Sequence, residues 1–151
     1  MTSKYVPQPV IDPGTTKVRK VTLGLAATND VPVTLSSGGA TYNLFDVASG
    51  VVVRDVFVDK RTAFASSSGV VLTIGMDSDP DSFILSSGLT PKSAGFYGMV
   101  TGAANPANKS GYRFGLTGDT STHITASLSG KGPATAGQFD VYLVYFDSNE
   151  L

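Results

Sequence analysis

FDVYLVYF, residues 139–146, decides the fold: Phe139, Val141, Leu143 and Tyr145 alternate with Asp140, Tyr142, Val144 and Phe146. A period of two sends successive side chains to opposite faces of a β-strand, whereas a helix needs a stripe at 3.6. Upstream the same period recurs. Val21, Leu23 and Leu25 alternate with Thr22, Gly24 and Ala26 in a strand starting near Lys17, and Val31, Val33 and Leu35 alternate again. Tyr42, Leu44 and Phe45 lead through Asp46 to Val47. Residues 51–60 (VVVRDVFVDK) begin apolar on both faces, which places them in the middle of a sheet. Residues 70–76 (VVLTIGM) form another strand, with shorter ones predicted at 96–100, 112–116 and 123–128. Between them lie turn formers: Thr28-Asn29-Asp30, Ser36-Ser37-Gly38-Gly39, Ala48-Ser49-Gly50 and the hairpin tip Ser66-Ser67-Ser68-Gly69. Residues 81–85 read as one helical turn at most.

Eight to ten strands at this spacing imply an all-β fold of two packed antiparallel sheets. A jelly-roll-like β-sandwich is the first expectation. An immunoglobulin-like sandwich is the alternative, and it lacks here its Cys and Trp core pattern. The sandwich is expected over residues 17–151. Before it, residues 1–16 form an N-terminal arm: Pro7, Pro9 and Pro13 exclude a helix or a central strand, so the arm is extended. It nevertheless carries Tyr5, Val6, Val10 and Ile11, apolar residues that a solvated tail does not need.

Composition narrows the function. The chain has 151 residues, enough for one domain, and a net charge of −1 with only 15% charged residues. That balance argues against direct nucleic-acid binding, which needs a basic footprint. No apolar run reaches membrane-spanning length, and the N-terminus has no apolar signal-peptide core. With no Cys there is neither a disulfide framework nor thiolate chemistry.

Three stretches carry a resemblance. Residues 44–57 (LFDVASGVVVRDVF) run strand, Ala-Ser-Gly turn and Val-rich strand; residues 70–83 (VVLTIGMDSDPDSF) run from a strand into an acidic loop; residues 136–147 (AGQFDVYLVYFD) end the chain. In this order they resemble the small β-sandwich proteins that decorate or cement the heads of tailed bacteriophages. The resemblance implies a structural virion protein on the capsid surface, made in the host cytoplasm. Its implied partners are the major capsid protein and copies of itself, as a trimer or dimer. It supplies no functional residue by itself.

Chemical motifs are sparse, and the chain is read as a non-enzyme without a cofactor. The single histidine, His123, sits in a Thr-rich strand with no local Asp or Ser to make it a general base, so it is expected to face solvent or cap a hydrogen bond. Gly-Ser runs lack the Lys and helix of a phosphate loop. Asp77, Asp79 and Asp81 alternate in a loop and are the candidate ligands for a hard cation such as Ca²⁺; the plainer reading is an Asx-turn whose carboxylates bond backbone amides. Residues 90–111 form a long loop with Phe96, Tyr97 and Met99, which either face a partner or plug the sandwich.

Attachment is assigned to the arm and the strand that follows it: Tyr5, Val6, Val10, Ile11, Lys17 and Arg19. Lys17, Arg19 and Lys20, with Arg54, Lys60 and Arg61, are either a basic patch or a lysine-guarded edge strand. The alternative function is a carbohydrate-binding or host-recognition module of a tail or spike, stacking sugars on Tyr42, Tyr97, Tyr112 or Tyr142.

Overall fold

The computed structural model describes residues 16–24, 33–34, 40–65, 71–84, 95–98, 112–115, 120–129 and 136–150. Ten strands follow in order: β1 Lys17–Gly24, β2 Val33–Thr34, β3 Ala40–Asp46, β4 Val51–Ala65, β5 Val71–Met76, β6 Asp79–Ile84, β7 Gly95–Gly98, β8 Tyr112–Arg113, β9 His123–Ser129 and β10 Ala136–Asp147. One 3-10 turn, Ser148–Glu150, follows β10.

One sheet has the order β2-β1-β10-β4-β7, with β8 also on β4; the other has β3-β9-β5-β6. All pairs are antiparallel except the short β1–β2 contact. Setting aside the two-residue β2 and β8, the remaining eight strands pair first with last (β1–β10), second with seventh (β3–β9), third with sixth (β4–β7) and fourth with fifth (β5–β6). That nested hairpin, rolled so that β10 meets β4 and β9 meets β5, is a jelly roll. The immunoglobulin-like alternative is excluded, since its first and last strands are not neighbours.

The core lies between the sheets. Phe139, Val141 and Leu143 of β10, Val53, Val56 and Val58 of β4, and Leu23 of β1 face Leu72, Ile74 and Met76 of β5, Ile124, Ala126 and Leu128 of β9, and Phe45 of β3, all buried. Each of the larger side chains gains roughly 1.5–3 kcal/mol over exposure.

Bulges keep these side chains inward. In β4, Arg54 is the extra residue between the register pairs Val53↔Tyr145 and Asp55↔Val144, and Arg61 the extra residue between Lys60↔Phe139 and Thr62↔Gln138. The extra residue at Arg54 resets the phase, so Val51 and Val53 before it and Val56 and Val58 after it all point to the core. β4 is central, between β10 and β7, as its two-sided apolar start requires. The type II turn Ala48-Ser49-Gly50-Val51 leads into it, with Gly50 at φ +98°.

The helical turn expected at 81–85 is instead strand β6. Pro80 is tolerated there because, among the described residues, β6 pairs on one side only, at the sheet's edge. At Gly75, β6 runs so close that a Cβ would collide with the backbone of Asp79 and Pro80.

Candidate functional site

One end of the sandwich gathers charge from both sheets, and a bulge makes this possible. In β3, Leu44 is unpaired between Asn43↔Thr125 and Phe45↔Ile124. The extra residue lets the adjacent apolar pair Leu44-Phe45 keep Phe45 in the core, and it sets Asp46 directly opposite His123.

His123 is half-buried, its Nδ1 lying 3.0 Å from Asp77 Oδ2 and its Nε2 3.4 Å from Asp46 Oδ1. Thr122 Oγ1 is also 3.0 Å from Nδ1. The same Asp77 oxygen accepts the backbone N–H groups of Thr122 at 2.9 Å and His123 at 3.0 Å. Partial desolvation raises the Asp77 pKa, but the Thr122 amide, the imidazole and the His123 amide together outweigh it, so the carboxyl lies below its ordinary value. Ser121 Oγ, 2.7 Å from Ser78 Oγ, accepts the Ser78 N–H and fixes the β5–β6 turn against the start of β9.

From the other sheet Arg19 closes this end. Its guanidinium lies over the Phe45 ring, 5.2 Å from the centroid, and donates to the Asp46 carbonyl at 3.0 Å. Arg19, expected to meet a partner, therefore binds β3 of its own sandwich. Lys17 is exposed beside Tyr145's position in β10, and Val18, 61% exposed, lies next to it on the opposite face of β1. Tyr5, Val6, Val10 and Ile11 lie outside the described residues.

The six basic residues do not share one face. Lys60 is buried opposite Phe139, where loss of hydration lowers its pKa, and it is core-facing rather than solvated. Arg61, aimed by its bulge, meets Asp140 Oδ2 as an ion pair, without the alignment of a hydrogen bond. Thr22 Oγ1 donates to Asp140 Oδ1 at 2.6 Å, so this fully buried carboxylate has a partner on each oxygen.

The acidic loop divides: Asp77 is in the β5–β6 turn, and Asp79 and Asp81 belong to β6. Among the described residues no group of three His, Cys, Asp or Glu side chains is placed to hold a metal. Tyr142 stacks on Phe57 at 4.9 Å, Tyr112 meets Phe114 edge-on at 5.2 Å, and Tyr42 packs half-buried against the core. The side chains of Phe96 and Tyr97 lie outside the described residues.

No protein-family model matches this sequence, and no curated protein matches it. Solved structures do. A chain of the capsid asymmetric unit of cyanophage Pam1 is 12% identical and superposes with a TM-score of 0.52, over 95% of this chain and 93% of that one. A chain of the acid-stable capsid of Helicobacter pylori bacteriophage KHP30 is 13% identical with a TM-score of 0.51, over 89% of both. At such identities what is shared is the fold, from end to end of the sandwich.

Proposed function

We propose that this chain is a structural protein of a phage virion, bound to the outer capsid surface, where it cements adjacent major capsid proteins. One observation carries the reading: the jelly roll matches, over nearly its whole length, chains found in two phage capsids. The site chemistry is in keeping with it, because the polar side chains at the Asp46–His123 end bond to strands and turns of the sandwich itself. Such a function needs no catalysis.

In the proposed mechanism the arm reaches from the start of β1 to a neighbouring subunit. Sixteen residues of polyproline-like chain span roughly 50 Å at about 3.1 Å each, far beyond the sandwich radius of about 15 Å. Tyr5, Val6, Val10 and Ile11 supply the apolar anchors, and Lys17 and Val18 the contact at the arm's root. Among the described residues β2 pairs with Leu23 and Gly24 on the outer edge of β1, and in the proposed mechanism a neighbour's strand adds to that same edge. Copies repeated on a symmetric shell, as trimers or dimers, convert weak single contacts into avidity.

The test is fractionation of virions of the encoding phage into heads and tails, with the chain quantified in each by mass spectrometry. Recovery in the head fraction at a fixed ratio to the major capsid protein is expected. Recovery in tails, or absence from virions, would overturn the assignment.

A further inference from the structure

His123 faces a carboxylate at each ring nitrogen, and its charge state decides whether both contacts are favourable. A neutral imidazole has one donor and one acceptor. With the proton on Nδ1 it donates to Asp77 Oδ2 at 3.0 Å, and the Nε2 lone pair then points at Asp46 Oδ1. With the proton on Nε2 it donates toward Asp46 and accepts from the Thr122 hydroxyl, and the Nδ1 lone pair then faces Asp77 Oδ2. Only the imidazolium donates at both nitrogens.

We propose that His123 is a proton-operated staple: under mild acid it ties β3, the β5–β6 turn and β9 together through Asp46 and Asp77, reinforcing this end of the sandwich. Asp77 is the fixed half, held by the amides of Thr122 and His123, while Asp46, with its side chain 91% exposed, is the half that closes. From β1 the charged group facing this end is Arg19, bound to the carbonyl of Asp46 rather than to its carboxylate. The device extends across the sheets, since the β3 segment that it grips is the one that Arg19 clamps from β1. It stands on this geometry alone and does not depend on the proposed virion role.

The pH window follows from ordinary group chemistry. A contribution that needs the imidazolium is favoured in mild acid and is lost toward alkaline pH. Thermal unfolding of the full chain and of H123Q at about pH 5.5 and about pH 8 tests it. The wild-type advantage in Tm over H123Q is expected to be about 2–4 °C larger at the acid pH. D46N and D77N, each of which removes one charge and keeps an amide in its place, are expected to reduce that acid gain. An advantage equal at both pH values, or larger at alkaline pH, overturns the staple. A D46N variant that retains the full acid gain overturns the assignment of Asp46 as its closing half.

Discussion

A single oxygen of Asp77 ends contacts from two amides and an imidazole, and such a carboxylate is committed before any cation arrives. Asp79 and Asp81 are carried into β6 and do not share its turn. Millimolar Ca²⁺ is therefore expected to leave Tm unchanged; a rise of several degrees would show a site that binds the native state. Lys60 gives a second prediction at this scale. Its folded pKa is lowered by burial, so the unfolded chain holds that proton more tightly. The cost is complete below the folded value and is relieved as pH climbs from there toward the unfolded value of about 10.4. K60M, of similar length and uncharged, removes this cost. Its Tm relative to wild type is expected to fall steadily as pH rises through that interval, and a pH-independent difference would contradict the assignment. Neither residue's role was visible in the chain. Asp77 lies 46 positions from His123, and Lys60 reads as one charge in an alternating strand until the bulges fix its face.

Gly75 shows how tightly the β5–β6 hairpin is folded on itself. A methyl there collides with main chain rather than with a yielding side-chain tip, so β6 itself must move. G75A is expected to destabilise the protein by about 2–4 kcal/mol in denaturant unfolding, and a loss of less than about 0.5 kcal/mol would mean that the hairpin gives way freely. Strands β1, β5, β9 and β10 were legible because one apolar face written at period two survives any later packing, and β4 because an apolar start on both faces marks a central strand. Strand β6 was not, because Asp79-Pro80-Asp81 carries every local sign of a loop, and only a position at the sheet's edge accommodates it. The bulges at Leu44, Arg54 and Arg61 were hidden for a related reason. A bulge inserts one residue against a partner strand that the local sequence does not name. Since the bulge at Leu44 is what brings Asp46 to His123, the charged end was hidden with it.

At the scale of the molecule, the jelly roll joins the start of the sandwich to its end, because β1 pairs with β10 along all of Lys17–Gly24. In the proposed mechanism the arm therefore starts from a strand that is paired along its whole length with β10. If residues 1–14 act as the proposed arm, removing them is expected to leave Tm within about 2 °C of the full chain while weakening attachment to the capsid. Equal capsid occupancy by the truncated chain would remove the arm from the mechanism. The sandwich was readable from alternation and turn residues, and its resemblance to phage-head proteins agrees in fold with the two capsid structures. The surface that meets a partner was not readable, because it belongs to contacts between chains. The most direct measurement of the proposed role is co-sedimentation of the purified protein with undecorated, expanded capsids of the phage proposed to encode it, read as copies bound per shell. Saturation at a number matching one class of symmetry positions is the predicted result, and no binding to such shells would contradict the account.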